Sequence, residues 1–104
     1  MGFSVSSSLL DAVVLATVAK DGGSYGYKIT QDVRTVMDVS ESTLYPVLRR
    51  LQKENCLETY DQEFQGRNRR YYKVTTAGFN LLAEYQKEWM DYKNNIDRIL
   101  FGGN

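Results

Sequence analysis

The sequence predicts a mainly α-helical chain with one small β-hairpin and a long C-terminal helix. Three observations carry that prediction. Apolar residues recur at steps of three and four in several segments, two β-prone runs flank a Gly-containing turn, and the final helical segment carries a heptad seam.

The first helix begins near Ser7 or Ser8, either of which is a suitable cap, and runs to Lys20. Leu9, Leu10, Ala12, Val13, Val14, Leu15, Ala16 and Val18 leave it almost no polar face. A helix apolar all round must be buried on several sides, and one of those sides is expected to belong to another chain, with Leu10 and Val14 at the contact. Asp21-Gly22-Gly23-Ser24 breaks the pattern. A second helix is read over residues 25–37, with Tyr25, Ile29, Val33, Val36 and Met37 facing inward. Gly26 near its start lets another backbone or a phosphate come close. Tyr27 and Lys28 stand at the same N-terminus, where unpaired amides favour an anion, and are the phosphate candidates there.

The third helix spans residues 40–54 after a short turn. Leu44, Val47, Leu48 and Leu51 form its inner stripe, so Ser42, Tyr45, Pro46, Arg49 and Lys53 point outward, with Arg50 at the side. Pro46 would remove an interior hydrogen bond in a helix capped at Ser40. Either Ser42 or Thr43 is the true cap, or the first turn is irregular, and the irregular turn is favoured. Asn55 suits the left-handed residue that closes a helix. Residues 57–64 and 69–75 are then two strands joined through Gln65-Gly66-Arg67-Asn68. Tyr72 and Val74 alternate with Tyr71 and Lys73, so one face can pack while the other stays wet. The last helix starts at Thr75 or Thr76 and runs to about Leu100. Its seam of Leu82, Tyr85, Trp89, Tyr92, Ile96 and Ile99 needs a partner surface, most simply a second copy. Tyr85, Trp89 and Tyr92 then either pack that interface or face one another across a gap that holds a flat apolar compound.

Charge distribution points to a function. The chain has no net charge, yet residues 42–76 hold seven bases and four acids while both flanking segments are net acidic. Arg67, Arg69, Arg70 and Lys73 lie on the hairpin, and the outward face of the third helix carries Arg49 and Lys53. Helix, turn, helix and basic hairpin in that order make a winged helix-turn-helix, whose second helix and wing grip duplex DNA. A solvated helix face and a charged hairpin edge that resists aggregation are the plainer readings. With no histidine and one cysteine, the sequence offers no Cys/His metal set, no evident nucleophile and base, and no phosphate-binding Gly-rich fingerprint. An enzyme is not expected, and neither is a cofactor or metal. Cys56 fits a small buried hydrophobe. No apolar run is long enough to span a bilayer, so the expected location is cytoplasmic, with no membrane partner.

Tyr25-Gly26-Tyr27, the Thr43-Leu44-Tyr45-Pro46 helix, the wing from Gly66 through Arg69-Arg70-Tyr71-Tyr72 to Thr75, and Thr76-Ala77-Gly78 resemble the PadR family of bacterial transcriptional regulators. The resemblance covers about residues 8–100 and is closest to the small subfamily with one C-terminal helix. It implies a winged-helix DNA-binding domain over residues 1–75, a dimerisation helix over 76–104, and repression from an inverted repeat in promoter DNA. It also implies relief of repression by phenolic or planar aromatic compounds, with Trp89 in the stretch that lines the ligand pocket of multidrug-sensing members. Asn55 stands where the family usually has glycine, and Asn68 interrupts the wing's arginine run.

On this reading Ser42, Thr43, Tyr45 and Arg49 enter the major groove, supported by Lys53, Tyr27 and Lys28, while Arg67, Asn68 and Arg69 touch the backbone. The dimer interface is expected to use Leu10, Val14, Leu82, Tyr85, Trp89, Tyr92, Ile96 and Ile99. The alternative is a protein-interaction module, with Glu54, Glu58, Asp61 and Glu63 available to a partner and no direct DNA readout.

Overall fold

The computed structural model describes residues 7–102, the side chain of Ser7 excepted. The order is α1 (Ser7–Asp21), β1 (Ser24–Tyr25), α2 (Gly26–Arg34), α3 (Glu41–Lys53), β2 (Leu57–Phe64), β3 (Arg67–Val74) and α4 (Thr76–Phe101). The sheet is antiparallel with strand order β1-β3-β2, so the expected hairpin gains a third strand. This is a winged helix with a C-terminal helix, elongated to 56 × 31 × 20 Å by α4.

The third strand was hidden by its length. Gly22 and Gly23, at φ 69° and 151°, reverse the chain after α1. Ser24 and Tyr25 then pair with Tyr72 and Tyr71 before α2 begins at Gly26. Two residues cannot display a strand's period, and Tyr25 precedes α2 in extended conformation instead of joining it.

Helix α1 is already helical at Ser7, which puts Ser8 inside its first turn and not at a cap. Its apolar circumference is used largely within this chain: α2, α3, α4 and β3 all pack on it, and Leu10, Val14, Leu15 and Val18 are buried in the common core. Val14 has no exposed surface at all, so its expected place at a dimer interface is corrected to the chain's own core. Helix α2 ends at Arg34, earlier than its pattern suggested, and Val36 is 71% exposed instead of facing inward.

In α3 the Ser40 hydroxyl accepts from the Thr43 amide at 3.3 Å, and the Ser40 carbonyl accepts from Leu44 N–H at 3.1 Å. Ser40 is therefore the cap, in place of Ser42 or Thr43, and Pro46 lies inside a continuous helix. The expected irregular opening is not formed. The stripe Leu44, Val47, Leu48, Leu51 is buried as the periodicity requires, which offsets the one backbone donor that Pro46 lacks. Helix α3 closes through Asn55 at φ 63°, the left-handed role read from the sequence.

The hairpin turn is tighter than expected. Gln65 and Gly66, at φ 53° and 79°, form a two-residue connection whose twist matches the flanking strands. Arg67 and Asn68 are consequently the first residues of β3, opposite Phe64 and Glu63. Tyr72 and Val74 face the core with Leu57. Of Tyr71 and Lys73 on the other face only Lys73 stays wet: Tyr71 is 9% exposed because Tyr25 and Tyr60 cover it from the outer face of the sheet.

One junction fixes where α4 departs. Thr75 N–H donates to the Cys56 carbonyl at 3.1 Å, and its hydroxyl donates to the Asn55 carbonyl at 2.7 Å. The same hydroxyl accepts from the Gly78 amide at 2.9 Å, capping α4. Gly78 is buried so close to the Cys56 carbonyl that a Cβ there would collide with it, and would also come within 2.7 Å of Val74 Cγ1. Gly78→Ala should therefore destabilise the fold by about 1–3 kcal/mol despite alanine's better helix propensity, as a shifted urea-unfolding midpoint. An unchanged or raised midpoint would show that the junction yields without strain.

Candidate nucleic-acid interface

The N-terminal half of α3 presents a cluster of hydroxyls. Ser40 Oγ lies 2.9 Å from Ser42 Oγ and 3.2 Å from Thr43 Oγ1, and all three residues are exposed. Further along the same helix Arg49 and Lys53 are exposed, two turns of cationic surface beyond the hydroxyls. Glu41 sits in the first turn, where it complements the helix dipole.

Tyr45 does not stand free on that face. It is half-buried against the core, and its ring approaches Gly26, where an added Cβ would come within 2.7 Å of Cε1. The close approach read at Gly26 is therefore made by Tyr45, which seats α3 on the start of α2. Desolvation, with smaller contributions from Glu41 and Tyr72, raises its phenol pKa.

At the N-terminus of α2 the two phosphate candidates part ways. Tyr27 is 59% exposed. Lys28 instead bridges Asp21 and Asp32, at 2.9 Å each, and these hydrogen bonds hold its ammonium pKa above the ordinary lysine range. Its charge fastens α2 to the end of α1, so Lys28 is not a free cation in this structure.

The wing shows the same sorting, imposed by strand register. Acids absent from β3 are supplied across the ladder by β2: Glu58 faces Lys73 and Asp61 faces Arg70, with ion pairs of 3.6 and 4.0 Å. Arg69 is half-buried, its guanidinium 4.1 Å from the Tyr25 ring centre and 4.2 Å from that of Phe64. Arg67 at the tip is exposed, and Asn68 is exposed beside it. Across α3 and the wing, Arg50 is engaged by Asp11 at 2.6 Å and Glu54 at 3.6 Å. Arg49, Lys53 and Arg67 make no carboxylate pair among the described residues.

The Asp11–Arg50 pair was not legible in the sequence, since its members lie far apart in the chain and one was expected merely at the side of α3. Asp11 is 5% exposed in an otherwise apolar helix, so its carboxylate requires that guanidinium. Cys56 is buried in the core, and desolvation raises its thiol pKa, in keeping with the small buried hydrophobe read from the sequence.

A second feature lies between α1 and α4. Ser8, Leu9, Ala12, Tyr85, Glu88, Trp89 and Tyr92 line an open groove of about 420 Å³. Tyr85 is half-buried at its base, and Trp89 and Tyr92 tilt toward one another with ring centres 6.3 Å apart. The three rings singled out from the sequence are thus brought together. Beyond them Ile96 and Ile99 are 39% and 82% exposed, while Leu82 is buried in this chain's core. Among the described residues no helix is long and apolar enough to cross a membrane, and no cluster of acids or cysteine could hold a metal.

Burial raises the Tyr45 and Tyr85 phenols above their ordinary pKa near 10. Their contribution to stability is whole below the unfolded-state value and is lost as pH rises through the higher folded values. Urea midpoints measured from pH 8 upward should fall beyond about pH 10, and Tyr45→Phe with Tyr85→Phe should flatten that decline.

Residues 14–84 match the transcriptional regulator PadR-like family. Among solved structures, smu.1704 from Streptococcus mutans superposes with a TM-score of 0.90 at 45% identity, over 98% of this chain and 95% of that one. Transcriptional regulator Rv3488 of Mycobacterium tuberculosis is 39% identical over 67 residues, 64% of this chain and 63% of its own. Bacillus subtilis PadR, solved in complex with operator DNA, shares the fold at 20% identity and a TM-score of 0.67, over 75% of this chain and 46% of that one.

Proposed function

This chain belongs to the PadR-like family of transcriptional regulators, and from that premise we propose that it acts as a dimeric, sequence-specific DNA-binding repressor relieved by a planar aromatic ligand. The observation that carries the DNA reading is the sorting of cations. Across α3 and the wing, Arg50, Arg70 and Lys73 are bound to carboxylates, whereas Arg49, Lys53 and Arg67 share no such pair among the described residues. Helix α3 enters the major groove with Ser42, Thr43 and Arg49 toward base edges, and Arg67 with Asn68 meets the phosphate backbone. The operator is double-stranded promoter DNA with an inverted repeat, its half-sites about 34 to 36 Å apart.

Dimerisation through α4 follows from its exposed seam. Trp89, Tyr92, Ile96 and Ile99 are all more than a third exposed on one side of the helix, a surface that water does not favour. A second copy would cover it and close the groove at Tyr85, Trp89 and Tyr92 into a pocket lined by aromatic rings. Such a ligand would derepress by favouring a spacing of the two α3 helices that does not fit the operator. The rival reading, a protein-interaction module using its acids, loses support because Glu54, Glu58 and Asp61 are engaged by cations of the same chain.

In a mobility-shift assay against the chain's own promoter, the wild type should prefer that sequence over unrelated DNA at moderate salt. Absence of any preference would overturn the DNA reading. Arg49→Ala should cost about 1–3 kcal/mol and relax discrimination, whereas Arg67→Ala should weaken all sequences alike and make the salt dependence shallower.

The solution mass at micromolar concentration should be that of a dimer, and Ile96→Glu should shift it toward monomer. Trp89 is the single tryptophan, so titration with a planar aromatic dye should change its emission. Unchanged emission together with an unchanged melting temperature would remove the ligand from the proposal and leave the DNA reading standing.

A further inference from the structure

Arg69 carries the family of charges expected at a DNA-binding wing, yet its geometry is that of an internal clamp. Its guanidinium straddles two rings, 4.1 Å from the centre of Tyr25 and 4.2 Å from that of Phe64, which are themselves 6.3 Å apart. Its Nη1 is shut off from solvent and has no hydrogen-bond acceptor among the described residues. A phosphate ligand would be expected to keep its donors open to the groove. Here the guanidinium carbon lies over two ring faces instead.

The two rings belong to different parts of the fold. Tyr25 forms β1, packs edge-on against Tyr71 at 5.5 Å, and stands immediately before α2. Phe64 is the last residue of β2, directly opposite Arg67 in the ladder. Arg69 therefore joins the far end of the wing to the base of the helical domain. Tyr60, stacked on Tyr71 at 5.4 Å, continues the same row along the outer face of the sheet. A two-stranded tip of this kind otherwise has only its ladder to fix its tilt.

We propose that Arg69 is a positioning residue for DNA binding: held over the rings of Tyr25 and Phe64 and bridging them, it fixes the tilt of the wing so that Arg67 meets the phosphate backbone, and it makes no phosphate contact of its own. This rests on the DNA-binding reading given above. The planar guanidinium is essential to the role, because a lysine ammonium keeps the charge but offers no planar surface to lie over both rings at once.

Salt dependence separates the clamp from a phosphate contact. Each phosphate neutralised adds about −0.9 to the slope of log K against log salt, so Arg67→Ala should make the slope shallower by about 0.9 for each protomer bound. Arg69→Met should lower affinity by roughly two- to fivefold for each protomer. Its slope should equal that of the wild type. Arg69→Lys should not restore affinity. Phe64→Leu should weaken binding similarly, and should add nothing further in the Arg69→Met background.

Amide exchange on the free protein supplies a readout independent of DNA. Residues 62–68 should exchange faster in Arg69→Met while α3 stays protected. A shallower slope in Arg69→Met, full rescue by lysine, or unchanged exchange in the wing would each overturn the clamp. Failure of the wild type to prefer its promoter, with faster wing exchange in Arg69→Met, would place the fault in the DNA reading and show that the clamp serves the wing alone.

Discussion

The contact of Gly78 with the Cys56 carbonyl constrains more of this molecule than its size suggests. It brings together the end of α3, the start of β2, the end of β3 and the start of α4 within a few residues. Thr75 reinforces it from both sides, donating to Asn55 and Cys56 and capping α4 through Gly78. Because only a residue without a Cβ permits that approach, the direction of α4 is set by backbone against backbone, with no flexible side chain between. The helix that carries the exposed seam is thus fixed to the corner from which α3 arrives.

Two ionic fastenings complete the frame. Asp11 and Arg50 tie α1 to α3 from within, where truncating the arginine would leave a buried carboxylate unpaired. Lys28 ties the end of α1 to α2 at the surface, a weaker link because its ammonium remains well solvated. The wing applies the same economy of charge through register. A strand rich in cations is laid beside one rich in acids, so the basic hairpin is far less positive than its second strand alone suggests. Within α3 and the wing, the cations that have neither a carboxylate nor a ring partner among the described residues are Arg49, Lys53 and Arg67, and charge left over in two places selects a geometry where a diffuse one would not.

Much of this was legible from the sequence because local patterns determined it. Leu44, Val47, Leu48 and Leu51 are buried, Asn55 is left-handed, and Tyr85, Trp89 and Tyr92 share a face, all as the spacing required. The misreadings have physical sources. β1 is too short to show a period, and Val36 continued an apolar rhythm that outlasted its helix. Pro46 looked disruptive because the tertiary burial that outweighs a missing hydrogen bond is not a local property. Several cations were judged by charge alone, whereas partners also come from other elements: Asp21 of α1 for Lys28 beside Asp32 of its own helix, Asp11 of α1 for Arg50, and the rings of Tyr25 and Phe64 for Arg69. A cation's availability depends on register and packing, which a single sequence does not print.

The same frame limits how a switch in this molecule can work, on the function proposed above. Tyr85 lines the groove, and its phenol lies within electrostatic reach of both Asp11 and Arg50. The groove is therefore built on the elements that hold α3, not remote from them. Since Gly78 and the Asp11–Arg50 pair join α4, α1 and α3 into one packed unit, an occupant of the groove meets little freedom to deform a single protomer. Its freedom lies at the exposed half of the seam, from Trp89 to Ile99, where only a second copy supplies the other wall. Regulation by a groove ligand would accordingly act on the relation between two rigid reading heads, through the part of α4 that the chain leaves uncovered.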